Sequence, residues 1–367
     1  MTTKQNQTPK ILYVASTASH LRRFHLPYIE ALKKEAEVML LASGDDSGFL
    51  DFNLPFEKNM LSVANARTVL QIRKILKAEC FDAVILHTSL AAFLVRAAMM
   101  GMKKHPYVHN VVHGYLFNEP LTSKKDKILH FCERIMRKKT DTITVMNEQD
   151  LIIVNNNRFC LGGVSFVYGM GVDMPTEIPI PNADLRAKYA RDGEMICTFV
   201  GELSNRKNQS FLIDAMKKLK EKAIPVKLLL VGEGSEREAL AEQIKQFVLE
   251  NDVYLLGNCE PVLPYLAITD LYVSASRIEG LPFNIMEAMS CGLPIVASDT
   301  KGQIDLLKST PDALYAHGDT DAFCNAVERV YRSSHYGVGT CTYPVLERYR
   351  LSAVFEENLA ILKKGWC

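Results

Sequence analysis

Apolar positions along the chain come in two alternating rhythms. Short, nearly continuous runs at residues 10–16, 37–42, 81–87, 107–112 and 142–146 have the composition of buried strands. Between them the apolar spacing becomes helical: Phe24, Leu26, Tyr28, Ile29 and Leu32, then Leu70, Ile72, Ile75 and Leu76, then a long stretch over 123–139. Strands and helices alternating at this rhythm predict a parallel, doubly wound sheet. Right-handed crossovers would open all loops that follow strands on one edge of that sheet.

Glycine and proline interrupt the pattern over 168–181, which reads as an interdomain connection. A second set then begins. Strands are predicted at 195–201, 226–231, 253–257 and 271–276, and helices at 209–222 and 236–250, with a terminal helix within 344–364. Two tandem α/β domains follow, 1–174 and 175–345, with 346–367 as a closing helical segment. A length of 367 residues suits two cores better than one.

Residues 277–296, R-I-E-G-L-P-F-N-I-M-E-A-M-S-C-G-L-P-I-V, hold the most informative unit. A strand leads into a turn at Glu279, Gly280 and Leu281. Pro282 suits the first position of a helix that carries Ile285, Met286, Ala288 and Met289 inward and ends near Gly292, and a further strand follows. Ligands of open α/β sheets bind at such loops. The backbone amides of residues 281–284 form a helix start suited to a phosphate. Acids beside an anion site do not hold the anion; they can accept hydrogen bonds from hydroxyls of a sugar attached to it. On spacing alone that reading stands level with a plainer one, in which Glu279 caps the turn and Glu287 faces water.

The run E-G-L-P-F-N-I-M-E-A-M-S-C-G-L-P-I-V-A-S resembles the E-x7-E signature of retaining, nucleotide-sugar-dependent glycosyltransferases of family 4, which have the GT-B fold. The resemblance implies two tandem Rossmann-like domains with an interdomain cleft, the second holding the donor and the first the acceptor. It implies that Glu287 binds ribose hydroxyls and Glu279 sugar hydroxyls. The diphosphate would rest on Lys207 and on the amides after Gly280, among Leu281, Pro282, Phe283 and Asn284. The lysine of the family's G-x-L-x-x-x-K-N pattern falls on Lys207, after Gly201. Glu202 stands where many relatives have arginine, so Arg206 is the expected substitute. Gly257 opens the loop expected to read the base, and Gly232 and Gly234 are expected to leave room near the nucleotide. His113, before Gly114, would face the donor sugar. In all, His113, Lys207 and Glu279 are the expected catalytic residues.

Ser19, His20, Arg22 and Arg23 follow the first strand and would face the acceptor, although the family's glycine-rich form of that loop is absent. H-L-R-R-F-H-L-P and the His-Gly element resemble enzymes of surface polysaccharide or capsule assembly, which implies a saccharide or lipid-linked saccharide acceptor. The donor sugar would be uridine-linked, a hexose or N-acetylhexosamine, and transfer would need no metal or other cofactor.

Composition narrows this further. Hydrophobic content of 48% and charged content of 23% describe a globular protein, and a net charge of +1 argues against a nucleic-acid partner. Nine scattered cysteines, none in a C-x-x-C pair, read as reduced, buried thiols. The polar start and the lack of a long apolar stretch point to a cytoplasmic enzyme without a spanning helix. Residues 123–139 concentrate Lys124, Lys125, Lys127, Arg134, Arg137, Lys138 and Lys139 opposite an apolar side of Ile128, Leu129, Phe131, Cys132, Ile135 and Met136. That helix either packs on its own sheet or docks on the inner membrane face. Two rivals share the resemblance: a nucleotide-sugar 2-epimerase and a non-catalytic sugar-nucleotide-binding partner. A dinucleotide oxidoreductase lacks its glycine fingerprint.

Overall fold

A computed structural model describes residues 8–45, 47–57, 62–175 and 177–366. The chain divides into two compact units: one runs to Val172 and resumes at Arg348, and the other spans Asp173–Glu347.

The first unit holds strands β1 (Lys10–Thr17), β2 (Glu37–Ser43), β3 (Phe52–Asn53), β4 (Ala83–His87), β5 (Tyr107–Val112), β6 (Thr142–Val145) and β7 (Val164–Phe166). Their order in the sheet is β3-β2-β1-β4-β5-β6-β7, with parallel pairing from strand to strand. β1 and β4 are buried on both faces, as their unbroken apolar runs require. The second unit holds β8 (Met195–Val200), β9 (Val226–Val231), β10 (Val253–Gly257), β11 (Leu271–Ser274), β12 (Ile295–Ser298) and β13 (Leu314–Tyr315), in the order β10-β9-β8-β11-β12-β13. In each unit the order reverses beside the first strand, between β1 and β4 and between β8 and β11. That reversal opens a binding position at the strands' carboxyl ends.

The terminal helix Leu351–Leu362 belongs to the first unit. Its buried Asn358 donates to the Gly169 carbonyl at 2.8 Å and to the Tyr28 hydroxyl at 3.0 Å, and Phe355 stacks on Tyr28. Gly171, at φ +83°, lies so close that a Cβ there would sit 2.6 Å from Leu351 Cα. Only glycine fits that turn.

Two local expectations change. Ala18 already begins a helix, Ala18–Phe24, capped by the Thr17 side chain, so Ser19 and His20 lie in a first helical turn and not in a loop. Thr17 makes this possible by accepting from the His20 amide. Pro282 is the cap of the helix Phe283–Ser290, not its first residue; its extended backbone (ψ 93°) delays the helix by one position.

Candidate functional site: paired charges in one unit, clustered histidines in the other

In the second unit the loops after β8 and β11 are stitched together. Asn208 donates to the Ala275 carbonyl at 3.2 Å and accepts from Arg277 at 2.7 Å, while the Arg277 amide donates to the Arg206 carbonyl at 2.9 Å. This places Lys207 Nζ 2.5 Å from Glu279 Oε1 and the Arg206 guanidinium 3.2 Å from Glu279 Oε2. Lys207 is 8% exposed and Glu279 5% exposed, so each charge is kept indoors by the other. Glu279 therefore does not merely cap its turn. Arg206 remains on the exposed side of the pair.

The start of the helix Phe283–Ser290 is fixed against the end of β8. Asn284 donates to the Val200 carbonyl at 2.7 Å, and the Tyr272 hydroxyl accepts from the Val200 amide at 3.2 Å. Burial pushes the Tyr272 hydroxyl far above its ordinary pKa, and the negative charges of Glu287 and Glu279 push the same way. Both carboxylates thus act on one buried ring. Glu287 is half-buried, on the face of the helix away from the core residues Ile285, Met286, Ala288 and Met289. Leu281 and Pro282 are buried in the turn, and Phe283 is half-buried. The loop after β12 presses on that turn: a Cβ at Gly302 would lie 2.4 Å from the Gly280 carbonyl.

Gly201 (φ +152°) packs beside the Lys207 stem. A Cβ at Gly232 would meet the Gly201 carbonyl at 2.0 Å, and one at Gly234 the Leu203 carbonyl at 2.1 Å. At Gly232 and Gly234 neighbouring backbone comes too close for any Cβ. Gly257 (φ +74°) accepts from the Gly232 amide at 2.8 Å and turns the chain after β10.

In the first unit the equivalent position holds histidines. The His113 ring lies 5.0 Å from the His20 ring and 5.5 Å from that of His25. His25, fully buried, meets the Tyr13 hydroxyl at 3.0 Å through Nδ1 and His20 Nε2 at 3.2 Å through Nε2. His87, the last residue of β4, meets His113 at 3.1 Å. Burial, reinforced by the neighbouring histidines, holds His25, His87 and His113 well below the ordinary imidazole pKa, and burial alone lowers His20 to about 4. The cluster is neutral at pH 7. His25 stood inside the H-L-R-R-F-H-L-P run and His87 ended a predicted strand, yet neither was singled out. Only their convergence in space marks them.

Ser19 is exposed beside this cluster, its hydroxyl 3.2 Å from that of Thr17. Arg22 is held by Asp45 at 2.8 Å and lies over the Phe49 ring. Arg23 is exposed and lies over Phe24.

The basic helix runs from Lys124 to Met136, and a further short turn spans Arg137–Lys139. Ser123 caps it in a reciprocal box with Asp126. Its predicted apolar side splits in two. Met136 is buried, and Glu133 turns inward to make two hydrogen bonds, 2.7 and 2.9 Å, with the fully buried Arg96. Ile128, Phe131 and Ile135 face outward, 62%, 59% and 37% exposed, among Lys124, Lys127, Arg134 and Lys138. The burial of Glu133 turns the helix so that these three cannot reach the core. The cysteines also divide. Cys160, Cys197, Cys291 and Cys324 are buried, three others are half-buried and Cys80 is exposed, which corrects the expectation of buried thiols throughout; Cys367 lies outside the described residues. Among the described residues no helix is long and apolar enough to cross a membrane.

Residues 194–333 match the family described as Glycosyl transferases group 1, a span that contains Lys207, Glu279 and Glu287. EpsD of Bacillus subtilis (strain 168), a glycosyltransferase by name, is 28% identical over 335 residues, covering 88% of each chain. The Escherichia coli UDP-Gal:alpha-D-GlcNAc-diphosphoundecaprenol alpha-1,3-galactosyltransferase is 28% identical over 293 residues, covering 78% of this chain and 76% of its own. Anabaena Alr3699/HepE, solved in complex with UDP-glucose, superposes with a TM-score of 0.71 at 18% identity, over 96% of this chain and 99% of its own.

Proposed function

We propose, for a chain whose residues 194–333 are a Glycosyl transferases group 1 domain and which has the GT-B fold of a glycosyltransferase, that its second unit binds a uridine-linked sugar nucleotide and passes the sugar to a lipid-linked saccharide with retention at the anomeric carbon. The observation that carries this is the buried Lys207–Glu279 pair at the reversal between β8 and β11. A lysine held indoors by a carboxylate is poised to exchange that partner for a diphosphate. Glu279 is then released toward hydroxyls of the sugar, Glu287 takes the ribose, and the amides after Gly280 share the phosphate charge. Arg206, on the exposed rim, adds a second cation, and Gly201, Leu281, Pro282, Phe283 and Asn284 shape the pocket, with Gly257 on the base side. Lys207 stabilises charge that grows on the leaving diphosphate, a role of fixed cations in such transfers. His113 serves the donor sugar from the first unit, and Ser19, His20, Arg22 and Arg23 the acceptor. Charge on the leaving group is met by these side chains and amides, so no metal takes part.

The similarity to the Escherichia coli galactosyltransferase, whose name gives a diphosphoundecaprenol acceptor, supports a lipid-linked substrate here, in assembly of a surface polysaccharide. The outward Ile128, Phe131 and Ile135, ringed by cations, then seat the first unit on the anionic inner face of a membrane, each cation contributing about 1 kcal/mol near the surface. Phe131→Asp should abolish co-flotation with phosphatidylglycerol vesicles at low salt; flotation equal to wild type refutes the docking face.

The site itself is tested by calorimetric titration with UDP and UDP-sugars. Wild-type protein binds, and Lys207→Ala and Glu287→Ala each weaken UDP at least tenfold. Wild-type affinity in both variants, or no binding of any nucleoside diphosphate, rejects the assignment.

A further inference from the structure

We infer that His20, His25 and His113 form a binding site for a borderline divalent transition-metal cation such as Zn²⁺, with a fourth position open to water. One nitrogen from each of the three can be chosen so that all lie within 4.8 Å of one another. Tetrahedral zinc with bonds of about 2.0–2.1 Å spaces its nitrogens roughly 3.4 Å apart. His25 Nε2 and His20 Nε2 already stand at 3.2 Å. The outer partners that such a site uses are also present. Tyr13 fixes the far nitrogen of His25 at 3.0 Å, and His87 holds the His113 ring at 3.1 Å, the kind of contacts that set tautomer and orientation around ligating imidazoles.

The setting suits metal over proton. His25 is fully buried, and the groups its two ring nitrogens meet are the Tyr13 hydroxyl and the His20 ring. Five places in the chain supply the groups: β1, the helix Ala18–Phe24, the junction residue His25 before the helix Leu26–Leu32, β4 and the turn after β5. Three imidazoles and no protein thiolate favour zinc, cobalt or copper over magnesium or calcium. The site shares His20 and His113 with the transfer proposed above, which uses no metal, so its test reads metal binding and not transfer.

The test uses the full chain, freed of metal by chelation. Titration with Co²⁺ should develop the visible bands of a four-coordinate, nitrogen-rich site at one ion per chain, and Zn²⁺ should bleach them. His20→Gln should abolish the bands. Tyr13→Phe, which removes an outer partner, should weaken Zn²⁺ roughly 10–100-fold without abolishing it. His25→Asn is expected to behave like His20→Gln; should it fail to fold, the half-buried His20 variant carries the result. Absent bands, bands unchanged in His20→Gln, or an intense near-ultraviolet thiolate band that assigns the ion to cysteine would each overturn the site.

Discussion

The two units place their ionisable side chains at the same point of the same sheet plan and keep them indoors by opposite means. At the β8–β11 reversal, Lys207 and Glu279 are buried as an ion pair, each the partner of the other. At the β1–β4 reversal, His25, His87 and His113 stay neutral because burial removes the proton. The difference follows from intrinsic pKa. An imidazole near 6.5 is already mostly unprotonated at pH 7, whereas discharging a lysine near 10.4 there costs about 4–5 kcal/mol, so the lysine is paired instead. A paired site can exchange partners for an anionic ligand; a neutral site offers lone pairs. On the two proposals above, the same fold position would serve a diphosphate in one unit and a cation in the other.

One charged pair breaks the pattern of the first unit. Arg96 is fully buried and grips Glu133 with two hydrogen bonds, and the Thr140 hydroxyl lies at 3.3 Å from the same guanidinium. It lies on the helices, away from the strand ends, and its role is to hold the basic helix in its rotation. Arg96→Met strands Glu133 and should destabilise the protein by about 3–5 kcal/mol in urea unfolding. Arg96→Met combined with Glu133→Leu should recover most of that loss. A single variant within about 0.5 kcal/mol of wild type would mean that the pair is as dispensable as a surface one.

Much of this was legible in the sequence. β5, β9 and β10 keep the bounds that their apolar runs define, and Lys207, Glu279 and Glu287 stand together in one unit as the motif spacing required. What was missed has physical causes. β3 and β13 are two residues long and carry no periodicity. The helix Ser89–Ala98 is buried over most of its surface, so no polar face marked it. Thr320–Ser333, with Phe323, Cys324, Ala326 and Val327 inward, did carry a readable stripe and was passed over. The outward turn of Phe131 was not readable, because it depends on Glu133 finding Arg96 37 positions away. The histidine cluster depends likewise on β1 and β4 being neighbours.

The neutral strategy of the first unit has its clearest gauge in His109, on β5 and apart from the cluster. It is 2% exposed and bonds Thr142 at 2.7 Å and Thr144 at 3.0 Å, and burial, aided by the positive charge of Lys364, lowers its pKa to about 4. In the unfolded chain it titrates near 6.5. Between those values the unfolded state binds the extra proton, so stability rises with pH there; the contribution is full above about 6.5 and falls as pH drops toward 4. For one group the slope approaches about 1.4 kcal/mol per pH unit inside that window. Replacing His109 with Gln, which keeps two hydrogen-bonding ends and cannot titrate, should remove one proton's worth of slope from urea-derived stability measured from pH 7 to pH 4.5. If the variant and wild type lose stability in parallel, His109 is protonated in the folded state, and the contrast between a neutral unit and a charge-paired one fails at its most buried test position.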